Sequence, residues 1–306
     1  MRITVSGTHC SGKSTLIDRF LASHPEYVHE PEPYEWLSGE VEAGDFYRQL
    51  EFSAERLSSY DSGAHVIAER NPLDFLAYLL ALGDLRRGGD PESFIKPAMD
   101  VTKSALNYVD LLVVLPLNDG DDIVAPDEED LELRARMNER LLSLLEEDDF
   151  TSAGRAVVEL TGPPSARLAA LERAVRASET TRHFDQIARV NELGLWDFTL
   201  SRLDEQTVQI LGSNDFDYYH VLELELRGVT FCDLPDQFSH AEFELLGEDG
   251  ELNIRVVAEP QFEIGMREFS IHASDMFVRT GTVYYYNREN LRPGERLAAW
   301  VKRPLA

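Results

Sequence analysis

The stretch Arg2-Ile3-Thr4-Val5-Ser6-Gly7-Thr8-His9-Cys10-Ser11-Gly12-Lys13-Ser14 decides how the first half of this chain is read. Arg2–Ser6 is a short β-type run built around Ile3, Thr4 and Val5. Gly7–Ser14 matches G-x-x-x-x-G-K-[ST] in full. Ser14–Ala22 then places Leu16, Ile17, Phe20 and Leu21 on one helical face. A strand, a glycine loop and a helix in that order wrap phosphate. The glycines let the backbone approach, its N–H groups point inward, and the helix presents its positive end. The residues expected to cradle a nucleotide are Gly7, Thr8, His9, Cys10, Ser11, Gly12, Lys13, Ser14 and Thr15. Lys13 is placed to reach β- and γ-phosphates, and Ser14 to ligate Mg²⁺.

Working outward, strands and helices alternate to about residue 178. Tyr27–His29 reads as a strand ending in Glu30-Pro31-Glu32-Pro33, where the prolines block both helix and ladder. Phe46–Tyr60 has helical spacing, His65–Ala68 is a strand and Leu73–Leu82 an apolar helix. Asp110–Leu115 (DLLVVL) is a continuous apolar run, as expected of a strand covered on both faces. Val157–Leu160 is another, and Pro163-Pro164 opens a final helix to residue 178. Residues 1–178 are therefore expected to form an α/β domain with the P-loop NTPase fold, a parallel sheet flanked by helices. Within it, the acidic Asn118–Asp130 runs into an amphipathic Leu131–Leu145 carrying Arg134, Arg136 and Arg140. That pattern fits a mobile lid or a solvated surface helix.

Beyond Glu179–Leu195, a bridging helix, the period changes to two. His220–Arg227 sets Leu222, Leu224 and Leu226 against Glu223, Glu225 and Arg227. Ala241/Phe243/Leu245 and Leu252/Ile254/Val256 do the same around the turn Glu248-Asp249-Gly250-Glu251. Phe269/Ile271/Ala273, Met276–Arg279 and Val283–Tyr286 continue the series. Residues 179–306 are expected to be a smaller, mainly antiparallel β domain of unknown function. Asp215, Asp217 and His220 read as a polar turn before a strand rather than a metal site. Glu223-x-Glu225-x-Arg227 reads as a solvent face, and Tyr284–Tyr286 either marks an interface or reflects the strand's preference for tyrosine.

The net charge is −27, from 29 basic and 56 acidic residues. Such a surface repels nucleic-acid phosphates and lacks the footprint of a nucleic-acid binder. A lone nucleotide is not excluded, because a phosphate site is local. No apolar run approaches the roughly 18 residues that span a bilayer. Met1-Arg2 leads straight into the first strand, so no signal peptide is read and the expected location is cytoplasmic, without membrane association. The two cysteines, Cys10 and Cys232, are expected to stay unbridged. No Cys-x-x-Cys pair or Cys/His cluster points to structural zinc. Cys10 reads as a tolerated small residue in the loop rather than a redox switch.

Two carboxylates follow strands, where ligands bind in open α/β sheets. Glu69 fits the Mg²⁺ side, with Arg70 beside it to meet charge on a transferred phosphoryl group, the alternative being a surface ion pair. Glu30 is placed to accept the proton of an attacking hydroxyl, or is one more acid in an acidic segment.

Together these pieces resemble the P-loop kinases of the nucleoside and nucleotide kinase group, in an order similar to that of deoxynucleoside kinases. The resemblance implies Glu30-Pro31 as base and Glu69-Arg70-Asn71 as the metal-side carboxylate with a transition-state arginine, Asn71 replacing the family's serine. Gln49 and Arg56, seven residues apart on one helix, would recognise the acceptor's base. Arg134 and Arg136 would close on the phosphates, with Arg140 less clear. The string Glu69–Tyr78 (ERNPLDFLAY) also resembles bacterial P-loop proteins of the AAA-type ATPase or kinase kind. The acidic insert and the β domain have no counterpart in ordinary deoxynucleoside kinases.

The expected function is an ATP- and Mg²⁺-dependent kinase acting on a small nucleoside- or nucleotide-like acceptor. Its alternatives are a nucleotide-dependent regulatory switch whose β domain is the effector and a candidate site for a protein partner, and an interaction protein stabilised by nucleotide without turnover. No N/TKxD guanine signature follows Asp110–Leu115, which favours ATP over GTP.

Overall fold

The computed structural model describes residues 1–32, 42–60, 64–118, 129–151, 155–214, 219–248, 251–283 and 296–297. The chain divides into two compact units, Met1–Glu179 and Thr180–Ala306.

The first unit contains β1 (Arg2–Ser6), α1 (Lys13–Ser23), β2 (Val28–Glu30), α2 (Ala43–Ser59), β3 (Val66–Glu69), α3 (Pro72–Leu85) and α4 (Glu92–Leu106). It continues with β4 (Leu111–Val114), α5 (Leu131–Leu145), α6 (Asp148–Thr151), β5 (Ala156–Glu159) and the start of α7 (Pro164–Glu192). The five strands lie in the order β2-β3-β1-β4-β5, all parallel.

The DLLVVL run shows why this sheet is a middle layer. Leu111 and Val113 join Ile3, Val5 and Ile67 against Leu16, Ile17 and Phe20 of α1 and Leu171 of α7. Leu112 and Val114 point the other way, into a core built from α2, α3, α4 and α5. An apolar side chain at every position is what a strand covered on both faces requires. Helix α3 is buried nearly all round, including Leu73, Phe75, Leu76 and Leu79, as expected of a helix inside a layer rather than on it. The sheet order places the carboxyl ends of β1, β3 and β4 side by side, with β2 beyond β3.

Two elements differ from the sequence reading. Helix α4 is an addition to the sequence reading, which assigns no element between Leu82 and Asp110; it forms despite Pro97 within it. The two helices expected at 163–178 and 179–195 are one, the 29-residue α7.

The second unit contains β6 (Asp197–Arg202), β7 (Thr207–Ser213), β8 (Tyr219–Arg227), β9 (Phe231–Cys232), β10 (Gln237–Glu248), β11 (Leu252–Pro260), β12 (Arg267–Ala273), β13 (Asp275–Val283) and β14 (Arg296–Leu297). They form one sheet in the order β14-β13-β8-β7-β6-β10-β11-β12-β9, antiparallel except for the β13–β14 pair. Leu222, Leu224 and Leu226 are fully buried in its core with Ile254, Val256 and Ile271.

The opposite face of β8 is only in part the solvent face the alternation suggests: Arg227 is exposed at its end, whereas Glu223 is buried. Glu223 is 5% exposed and faces His220, whose Nε2 lies 2.5 Å from Glu223 Oε1. Alternation assigns a residue to a face without saying what covers that face. Asp215, Asp217 and Tyr284–Tyr286 lie outside the described residues. Among the described residues, no helix is long and apolar enough to cross a membrane, and both cysteines are free thiols.

Candidate active site

Gly7 leaves β1 with φ of 151°, and a Cβ there would lie 2.7 Å from Ser11 Oγ and 2.8 Å from the Leu115 carbonyl oxygen. Glycine alone fits that approach. Gly12 precedes α1 with φ of 90°, turning the loop into the helix. Lys13 follows and is 4% exposed, its Nζ donating to the Thr8 carbonyl at 2.7 Å.

Burial, helped by the neighbouring Arg70 charge, brings the Lys13 ammonium from 10.5 down to about 7, against the pull of Asp74, Glu69 and Cys10. The sign of the consequence is fixed. At about pH 8 the free protein holds a largely neutral Lys13, and a triphosphate beside it favours the charged form, so binding takes up a proton. Titration calorimetry in two buffers of different ionisation enthalpy measures it. Uptake is expected at about pH 8 and fades towards about pH 6, where the lysine is already charged.

Ser14, the next residue of α1, donates from Oγ to Glu69 Oε1 at 2.8 Å. This joins the start of α1 to the end of β3 through two hard oxygen atoms. Mg²⁺ takes few protein ligands and keeps several waters, so the pair fits it.

Arg70 follows β3 with φ of 71°, an uncommon conformation for a side chain of this size. Its guanidinium is fully buried. Nη1 donates to the Gly7 carbonyl at 2.9 Å, Nε donates to Glu32, and Asp74 Oδ1 lies 3.9 Å from Nη1. The Tyr78 ring lies beneath it at 5.3 Å. Asp74 accepts from Gly7 N and from Ser6 Oγ, each at 2.8 Å, and from Asn71 N at 3.1 Å. Asn71 caps α3 through Leu73 N and donates to Thr4 and Ser6. Burial pushes the Asp74 carboxyl up, and Arg70 and the Gly7 N–H hold it down.

The Glu-Arg-Asn-Pro-Leu-Asp string is thus the brace of the phosphate loop. Asp74→Ala is expected to cost about 1–3 kcal/mol in chemical denaturation, because it leaves the buried Gly7 N–H and Ser6 hydroxyl without the carboxylate that accepts from them.

At the end of β2, Glu30 accepts from Arg56 Nη2 and from Tyr60 Oη, both carried by α2 or its C-cap. The bond to Glu30 raises the Arg56 pKa. Gln49, two turns earlier on α2, is 5% exposed. Its Oε1 and Nε2 have no hydrogen-bond partner among the described residues.

On α5, Arg134 donates from Nε to the His9 carbonyl at 2.8 Å and from Nη2 to the Cys10 carbonyl at 3.0 Å. Arg136, expected beside it, is instead paired with Glu139 at 2.6 Å and lies 4.0 Å from Asp84. Arg140 also pairs with Asp84. On a helix, neighbours two positions apart face different ways, so Arg134 and Arg136 cannot share one target.

The structure therefore joins Lys13, Ser14, Glu69 and Arg70 at one place, and Glu30 with Arg56 at another on the same sheet edge. Sequence reasoning missed Asp74, Glu32 and Arg167. Asp74 was readable, one helical turn from Arg70. Arg167, which donates from buried Nη1 to the Ser11 carbonyl at 2.7 Å, carried no signal.

A five-stranded parallel sheet with a glycine loop, a buried lysine and a Ser–Glu pair after its strands defines a P-loop nucleotide-binding domain. A family model described as an AAA domain matches residues 2–167, more than half of the chain, and the chain belongs to that family. No curated protein matches it. Similar solved structures include a thymidylate kinase from Candida albicans, 16% identical over 57% of this chain and 91% of that one, TM-score 0.42. A deoxyadenosine kinase from M. mycoides with bound dATP is 15% identical over 57% of this chain and 99% of that one, TM-score 0.43. NadR protein in complex with NR is 19% identical over 58% of this chain and 51% of that one, TM-score 0.44.

Proposed function

We propose that this protein is an ATP- and Mg²⁺-dependent phosphotransferase whose acceptor is a small nucleoside- or nucleotide-like molecule. The observation that carries the reading is Gln49. A buried amide without partners costs about 1–3 kcal/mol, and a fold keeps one where a ligand satisfies it. An amide that both donates and accepts matches the edge of a nucleobase.

In this mechanism the backbone N–H groups of the loop and Lys13 hold the triphosphate, and Ser14 and Glu69 hold the metal. When bound, Mg²⁺ neutralises charge on the β- and γ-phosphates. Glu30, oriented by Arg56 and Tyr60, accepts the proton of the attacking hydroxyl. Arg70 fixes Gly7 and adds its charge to that of Lys13 at the transferred group. Arg134 holds α5 on the loop.

Gln49→Met tests the reading. Removing an unsatisfied buried amide while keeping its volume is expected to leave stability unchanged or raise it by about 1 kcal/mol. The KM for the acceptor is expected to rise about tenfold or more, with the KM for ATP unchanged. Unchanged acceptor kinetics would remove Gln49 from the acceptor site and with it the argument for a nucleobase.

A further inference from the structure

His9 and Cys10 occupy the phosphate loop, and Glu129 lies just ahead of Asp130, which caps α5. The chain brings the three side chains together across about 120 residues. His9 Nδ1 is hydrogen-bonded to Glu129 Oε2, and Cys10 Sγ lies 3.4 Å from the same nitrogen. The three ligand atoms fall within 4.8 Å of one another. All three side chains remain accessible to an entering ion, His9 most of all.

We propose that these residues form a binding site for a zinc-class divalent ion, separate in chemistry from the Mg²⁺ site at Ser14 and Glu69. Three features carry the inference. The first is the ligand set. One thiolate, one imidazole and one carboxylate select a borderline ion such as Zn²⁺ or Co²⁺ and leave Mg²⁺ to all-oxygen sites. The second is the spacing. Bonds of about 2.05 Å to nitrogen and 2.3 Å to sulfur at a tetrahedral angle put the two atoms about 3.5 Å apart. His9 Nδ1 and Cys10 Sγ already stand at 3.4 Å. The third is independent anchoring. Arg134 of α5 bonds the carbonyls of both His9 and Cys10, so the segment carrying Glu129 is held at the loop without any help from the ion.

Three protein ligands leave a fourth position for water. On binding, the ion takes the place of the proton between His9 and Glu129. His9 binds through Nδ1 with its proton on Nε2, and the Cys10 thiol releases one proton to solvent. The bound ion fastens the start of α5 to the phosphate loop, beside the contact that Arg134 already makes. This assignment does not depend on whether the protein transfers phosphate.

The test is a Co²⁺ titration of the metal-stripped full chain in excess Mg²⁺ and without nucleotide, followed by displacement with Zn²⁺. One equivalent is expected to bind with a thiolate-to-cobalt charge-transfer band in the near ultraviolet. Zn²⁺ should abolish the band. Cys232→Ser should keep the band and Cys10→Ser should lose it. Glu129→Gln should weaken binding about tenfold or more. Absence of a thiolate band in the parent protein, or a band and affinity unchanged in Cys10→Ser, would overturn the site. Should Cys10→Ser disturb the loop, Glu129→Gln carries the decision from outside it, and unchanged Co²⁺ affinity there overturns the three-ligand site equally.

Discussion

Lys13→Ala will abolish productive triphosphate binding, lowering turnover by about 10²–10³-fold or more. The argument rests on where the lysine is. Its Nζ is buried at the mouth of the loop and bonded to the Thr8 carbonyl, a partner it can leave for phosphate. Burial has lowered its pKa to about 7, so the free protein bears a cost that a bound polyanion relieves. A residue kept for stability alone would not be placed so. Lys13→Met, which keeps the volume and removes the ammonium, is therefore expected to melt no lower than the parent near neutral pH. Equilibrium binding of a fluorescent ATP analogue and a thermal melt of the same sample check both halves. Full activity in Lys13→Ala would sink the assignment of the loop.

Glu30→Gln is expected to leave nucleotide affinity within about twofold and to cut transfer by about 10²–10⁴-fold. The carboxylate ends β2, on the same sheet edge as Glu69, and Arg56 and Tyr60 both donate to it. The amide keeps the size and one acceptor but takes no proton. Single-turnover kinetics separates the two quantities, and an unchanged transfer rate would leave Glu30 as a partner for Arg56 and nothing more.

Much of the first unit was legible because local rules and tertiary packing agree there. The DLLVVL run can only be a strand buried on both faces, and the glycine loop sits between a strand and a helix as its chemistry requires. Helix α4 was not legible, since Pro97 speaks against it locally and burial of Ala98, Ala105 and Leu106 outweighs that. The continuity of α7 was hidden by its polar middle, Ser178–Thr181.

In the site, the residues carried by one short motif were readable, and those joined by long loops were not. Arg70 meets Glu32 from 38 residues away, and His9 meets Glu129 across 120. Neither pairing leaves a trace in spacing or period. Arg136 was misplaced because an arginine-rich helix announces its charge without saying which face meets the loop.

The most direct test is ADP formation with ATP and Mg²⁺, first alone and then with a panel of nucleosides, nucleotides and amino sugars. The account predicts little ADP alone and a large rise with one nucleoside- or nucleotide-like compound, with a phosphorylated form of that compound appearing in equal amount. Steady hydrolysis indifferent to every compound would contradict it, and would make the protein a nucleotide-dependent switch instead.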